Sequence, residues 1–78
     1  MKRNLLIKNK IAILRKEKGI SQGRLADAVL VTRQTITSLE VGKYNASLEL
    51  AYRISRYFNL SIEDIFDFTD LKEVKNYG

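Results

Sequence analysis

The stretch V-T-R-Q-T-I-T-S-L-E-V-G-K at residues 31–43 gathers the side chains best suited to recognition chemistry in this chain. Ile36 and Leu39 lie three residues apart and can pin a short helix to a core. Arg33, Gln34, Thr37, Ser38 and Val41 then face outward together, at i, i+1, i+4, i+5 and i+8. A merely solvated helix face more often carries Glu and Lys; this one offers neutral donors and acceptors and a single arginine. Those groups suit base edges in the major groove of DNA. Arg matches guanine O6 and N7, Gln matches adenine N6 and N7, and Thr or Ser serves several edges or the thymine methyl. A free Glu in that position would be repelled by phosphate. The competing reading is a solvated surface, which the low charge of the face disfavours.

Other chemistries find little support. The chain has no Cys and no His, so a zinc site is not expected and Ser–His–Asp or Cys–His catalysis is excluded. No glycine-rich phosphate loop is present, and no Asp, Glu, Lys, Ser or Tyr pair sits in a recognisable pocket motif. We therefore expect no enzyme, no metal, no cofactor and no small-molecule ligand. The N-terminal M-K-R-N-L-L-I-K-N-K is broken by charge too soon for a secretory signal, and no apolar run approaches spanning length. The expectation is a cytoplasmic protein with no membrane partner.

The charge is divided along the chain. Residues 1–43 hold ten Lys or Arg and three acids, a net +7, whereas residues 44–78 hold four Lys or Arg and six acids, a net −2. Such a split favours an anionic partner for the N-terminal half, nucleic acid or an acidic membrane surface. A lipid-binding helix would need a free apolar face, and the first helix needs its apolar face for the core.

The elements that must carry these groups are short helices. At 78 residues the chain makes one domain with one modest core. Ile7, Ile11 and Leu14 recur at helical spacing before a basic turn and Gly19, which predicts a first helix from about Lys8 to Lys18. Ser21 can cap a second helix with Leu25, Ala26 and Val29 inward, and Thr32 a third, ending near Gly42. Ser47 opens a fourth with a broad stripe of Leu50, Ala51, Ile54, Tyr57 and Phe58. Ser61 and Asp64 have the spacing of a capping box for a short fifth helix bearing Ile62, Ile65 and Phe66. Only Leu30 and Val31 separate the second helix from the third, so the chain must turn steeply: a helix-turn-helix. The fold class expected is all-α, a compact bundle of five helices. For the flanks three readings stand: N-L-L-I-K pairs as a short strand with F-D-F-T, D-L-K-E-V starts a short C-terminal helix, or the tail is frayed.

Three stretches, I-A-I-L-R-K-E-K-G-I-S-Q, L-A-D-A-V-L-V-T-R-Q-T-I-T-S-L-E-V-G-K-Y-N and S-L-E-L-A-Y-R-I-S-R-Y-F-N-L-S-I-E-D-I-F, occur in order over residues 10–66. In that register the chain resembles the helix-turn-helix domain shared by phage lambda-type repressors, Cro proteins and the xenobiotic-response-element group of bacterial regulators. The resemblance implies an N-terminal arm at 1–7, a DNA-binding domain at 8–66 with its helix-turn-helix at 21–41 and recognition helix at 33–41, and a tail at 67–78. It implies double-stranded DNA as partner, with bases read by Arg33, Gln34, Thr37 and Ser38. By position it assigns the DNA backbone to Gln22, Thr32, Thr35, Lys43, Tyr44 and Asn45, with an adjacent base edge as the alternative for Thr32 and Thr35 and packing against the fourth helix as the alternative for Tyr44. It places Arg15 and Glu40 as a partly buried structural ion pair, in preference to a phosphate contact for Arg15. Leu30 stands where the family usually has Gly, and Val41 and Ala46 where Asn and Pro are usual, so a looser turn is expected.

Family members usually bind palindromes as homodimers. Tyr57, Ile62, Phe66 and Phe68 are the candidates for such an interface, with the alternative that Phe66 closes the monomer core. The function implied is a sequence-specific transcriptional regulator, a repressor in the first instance. The rival is an antitoxin-like or adaptor protein whose main partner is another protein.

Overall fold

The computed structural model describes residues 6–69. Five helices follow one another: α1 (Ile11–Lys18), α2 (Gln22–Ala28), α3 (Arg33–Glu40), α4 (Leu48–Phe58) and α5 (Ile62–Ile65). A two-residue strand stands at each end, β1 (Lys8–Asn9) and β2 (Phe66–Asp67), paired antiparallel with Lys8 opposite Asp67 and Asn9 opposite Phe66. The first reading of the flanks thus holds in shortened form, and D-L-K-E-V lies outside the described residues. No helix among the described residues is long and apolar enough to cross a membrane.

Four of the five helices start where a hydroxyl satisfies a free backbone N–H. Ser21, Thr32, Ser47 and Ser61 accept from Arg24, Thr35, Leu50 and Asp64 respectively. At Ser61 the bond is returned, because the Asp64 carboxylate accepts the Ser61 N–H at 3.1 Å and completes the capping box. That bond, with the Ser61 hydroxyl, holds the Asp64 carboxyl below its usual range. Helix α1 differs. It begins at Ile11 rather than about Lys8, because Lys8 and Asn9 are spent on the strand pair. The Asn9 side chain then accepts the Ile11 N–H at 3.0 Å and donates to the Leu39 carbonyl at 3.0 Å, so one residue starts α1 and ties it to the end of α3.

The core is a single cluster. Ile11, Leu25, Ala26, Val29, Ile36, Leu39, Leu50, Ala51, Ile54, Ile65 and Phe66 are buried, drawn from all five helices and β2. Removing each large aliphatic side chain from water contributes about 1.5–3 kcal/mol. Phe66 is 5% exposed and belongs to this core. That corrects its candidacy for a dimer surface: an aromatic ring closing the monomer has no area left for a second chain.

Candidate nucleic-acid interface

The interface is built on the turn between α2 and α3. Helix α2 ends at Ala28, and the chain reverses through Leu30, whose φ is 67°. This is the left-handed region, where an L-residue with a Cβ costs on the order of 1 kcal/mol over Gly. The conformation is held by Val31 N–H donating to the Ala26 carbonyl at 3.0 Å, while the Leu30 side chain stays 72% exposed. Thr32 then enters in extended backbone. Its hydroxyl accepts the Thr35 N–H at 3.2 Å and lies 3.1 Å from the Thr35 hydroxyl, so both threonines are engaged in starting α3.

Helix α3 is fixed along one edge. Ile36 and Leu39 are fully buried against the core, which leaves Arg33 and Gln34 exposed and Thr37 and Ser38 half-buried beside them. Among the described residues the side chains of Arg33, Gln34 and Ser38 make no hydrogen bond or ion pair. The helix closes at Glu40, one residue short of the expected 41. Val41 serves as its C-cap and Gly42 takes a φ of 77° so that the Lys43 N–H can reach the Ser38 carbonyl at 3.0 Å.

Behind α3 runs a polar chain. Arg15 Nε donates to Glu40 Oε2 at 2.7 Å and Nη2 to Oε1 at 3.2 Å, while Nη1 donates to the Ile20 carbonyl at 2.9 Å. The two side chains are 12% and 7% exposed. Burial pushes the Glu40 carboxyl up, but bonds from Arg15 and Gln22 and the charges of Arg15 and Lys16 outweigh it and hold the group below the usual carboxylate range. The bond to Glu40 likewise raises Arg15 against the opposing effect of burial.

Gln22 continues the chain. Its Nε2 donates to Glu40 Oε1 at 2.9 Å and its Oε1 accepts from Thr37 Oγ1 at 3.1 Å. The sequence assigns the amide of Gln22 to phosphate alone, yet two of its groups hold α2 to α3; one N–H stays available for a backbone oxygen. Nothing local in the sequence signals this, because it depends on the crossing of two helices. The role of Asn9 had a signal, an Asn two residues before the first core Ile, a residue type suited to starting a helix.

The loop after α3 presents Lys43, Tyr44 and Asn45, all exposed. Asn45 is also tied inward, its Oδ1 accepting the Ile7 N–H at 2.7 Å. Tyr44 shares the walls of a mostly apolar cavity of about 240 Å³ with Leu48 and Ala51 of α4, Ile62 and Phe68, and is 38% exposed. Of the remaining dimer candidates, Phe68 is 37% exposed, Ile62 is half-buried, and Tyr57 is half-buried between an edge-on contact to Phe58 and the Lys18 ammonium 5.4 Å from its ring centre. Arg24 and Arg33 border an open concavity between α2 and the start of α3, adding positive charge beside the exposed helix.

A capped helix held to the core by one edge, following a tight turn and presenting partnerless polar groups beside arginines, defines a helix-turn-helix DNA-binding domain. Comparison with known proteins agrees. The family described as Helix-turn-helix matches residues 11–65. A protein of Archaeoglobus fulgidus is 50% identical over 64 residues, covering 82% of this chain and 91% of its own, and is named as an HTH-type transcriptional regulator. Proteins so named in Methanocaldococcus jannaschii (44% identical over 64 residues, 82% of this chain and 97% of theirs) and Bacillus subtilis (45% over 60 residues, 77% and 91%) are similar in the same way. Among solved structures, a transcriptional regulator from Listeria innocua aligns with a TM-score of 0.71 and 26% identity over 90% of this chain and 67% of that one. A Bacteroides fragilis protein at 20% identity, covering 78% of this chain and 98% of its own with a TM-score of 0.70, shares the fold. The chain belongs to the helix-turn-helix transcriptional regulators of the xenobiotic-response-element type. It is a DNA-binding regulator, in a family not typically enzymatic.

Proposed function

We propose that this protein is a homodimeric repressor that reads a palindromic operator in double-stranded DNA, acting in the cytoplasm. The observation that carries the proposal is the exposed row on α3, where Arg33, Gln34 and Ser38 have no partner within the described residues although the helix beneath them is fixed by the core. Arg33, Gln34, Thr37 and Ser38 take the base edges; Gln22 and Lys43 take phosphates, with Thr32, Thr35 and Asn45 contributing from the helix start and the loop. Phosphate contacts fix register and base contacts carry sequence.

One such helix covers too few base pairs to find a site in a genome, and two copies reading half-sites about 34 Å apart remedy this. Phe68 and Ile62 supply apolar surface for pairing on the side of α5, with Tyr57 and the tail 67–78 as further candidates. Occupying the major groove hinders other proteins sterically, which is sufficient for repression. A second reading, in which the main partner is another protein, draws on the 80% exposure of Leu48 at the mouth of the apolar cavity.

Selection of random duplexes by the purified protein, followed by a salt titration on the selected sequences, tests the proposal. The expected result is an inverted repeat with half-sites one helical turn apart and binding that weakens steeply with salt. Salt-sensitive binding with no enriched sequence would falsify the assignment of α3 as a reader and favour the protein partner.

A further inference from the structure

The hydrogen-bond chain behind α3 has a direction, and that direction is set at its buried end. Arg15 has only protons to give, and Glu40 against it is a carboxylate that only accepts. Gln22 must therefore turn its NH2 toward Glu40, at 2.9 Å, because the opposite amide orientation would set oxygen against carboxylate. The Gln22 carbonyl is then the group facing Thr37 at 3.1 Å, and a carbonyl cannot donate. The second oxygen beside the Thr37 hydroxyl, the Arg33 main-chain carbonyl at 3.1 Å, cannot donate either. Thr37 has one hydroxyl proton and two acceptors within the protein to hold it.

We infer that Thr37 meets DNA as an acceptor and a methyl group and never as a donor. Its target is accordingly an exocyclic amino group, adenine N6 or cytosine N4, or the thymine methyl, and not purine N7, guanine O6 or thymine O4. Arg15, Glu40 and Gln22 touch no base in this scheme; they are positioning residues that fix the polarity of one that does. The inference rests on the reading of α3 as the base-reading helix and adds to it which edge one of its residues recognises.

The test begins with duplex selection by the wild type and by Thr37→Ala. The base-pair position whose preference Thr37→Ala loses is the Thr37 contact. At that position, analogues lacking the exocyclic amino group, the thymine methyl or N7 are compared in binding to both proteins. Removing the amino group or the methyl is expected to weaken wild-type binding by about fivefold, on the scale of one lost contact, and to leave Thr37→Ala indifferent. Replacing N7 by carbon should affect both proteins equally. Thr37→Ser keeps the donated bonds, so it should keep any sensitivity to the amino group and lose only sensitivity to the methyl. Gln22→Met removes one of the two proton acceptors, and preference at the Thr37 position alone should broaden toward guanine.

A loss on N7 replacement confined to the wild type overturns the inference. So does a Thr37→Ala protein whose preferences are unchanged at every position, although DNA reading by the rest of α3 then stands. An unchanged Thr37 position in Gln22→Met removes Gln22 from the scheme. A wild-type selection with no enriched sequence sinks the base-reading role of α3 and this inference with it.

Discussion

Helices α3 and α4 are alike in construction and opposite in what they leave exposed. Each starts on a hydroxyl, Thr32 or Ser47, and each buries an apolar edge, Ile36 and Leu39 in one, Leu50, Ala51 and Ile54 in the other. The outward side of α4 satisfies itself. Glu49 and Arg53 form an i,i+4 ion pair, and the Arg56 guanidinium lies 5.9 Å from the centre of the Tyr52 ring. The outward side of α3 does not, for among the described residues Arg33, Gln34 and Ser38 keep their side-chain donors and acceptors unspent. A surface whose polar groups are internally paired is complete in water. A surface held rigid with its polar groups unpaired is complete only against a partner, and under the proposed function that partner is a base edge.

Helix α3 also divides stability from recognition within eight residues, and the largest expected effect lies on the stability side. Arg15→Ala strands Glu40 with little access to water and should cost about 3 kcal/mol, read as a lowered urea midpoint. The same pair predicts an acid dependence. Glu40 titrates below its unfolded value near 4.3. Below that pH the unfolded chain binds the extra proton first, so the stabilisation is complete above about pH 4.3 and is lost as pH falls through the lowered folded value. Arg15→Ala should flatten that part of the stability profile. An unaltered acid limb in the variant would mean that Asp64 and other carboxylates carry the dependence instead.

On the recognition side, Arg33→Ala and Gln34→Ala should each lose about 1–3 kcal/mol of discrimination at one base pair while shifting stability by less than about 0.5 kcal/mol. Lys43→Ala should weaken all duplexes alike and reduce the salt slope by about one. Competition binding against single-base variants separates these outcomes. An Arg33→Ala protein with unchanged site preference would strike Arg33 from the readers, and the same result in Gln34→Ala as well would weaken the contrast between the two helices. A smaller effect is expected at the turn that orients α3. Leu30→Gly relieves the left-handed strain at an exposed residue and should stabilise by up to about 1 kcal/mol, with base preference unchanged.

The two helices also mark how far the sequence could be read. Caps and apolar periodicity are local, so Ser21, Thr32, Ser47 and Ser61, the buried stripe of α4 and the exposed face of α3 were all legible in it. Leu30 was legible too, through the steep turn that its neighbours require and the Gly usual there in the family the chain resembles. Bonds between elements distant in the chain were another matter. Asn9 reaches Leu39 across 30 residues, Ile7 reaches Asn45 across 38, and Gln22 divides its amide between Glu40 and Thr37. The Gln22 bonds depend on where α2 and α3 cross, and the other two on how the N-terminal strand region seats against α3 and the loop after it; no local pattern encodes either. The early start expected for α1 fails on a strand pair: Ile7 continues the helical spacing of Ile11 and Leu14, but Lys8 is paired with Asp67. Ser55, 4% exposed with its hydroxyl donating to the Tyr52 carbonyl at 2.8 Å, resolves its own burial without a distant partner.

The smallest expected effect is the one that makes the contrast quantitative. Glu49→Ala breaks the ion pair on α4 and removes an acid from its first turn, where a negative charge is favourable. Glu49 is 71% exposed, however, so water replaces most of what Arg53 supplied and the loss of stability should stay within about 0.5 kcal/mol. Arg53 then loses its carboxylate, as Arg33 has none among the described residues of the wild type. If unpaired polar groups alone made a DNA-reading surface, this variant would gain duplex affinity with a new base preference. If the position of α3 within the helix-turn-helix is what matters, added positive charge should raise affinity for all duplexes slightly at low salt and alter preference at no base pair. Competition binding at two salt concentrations distinguishes these outcomes, and a new preference in Glu49→Ala would show that exposure of polar groups, not the placement of α3, selects the reading face.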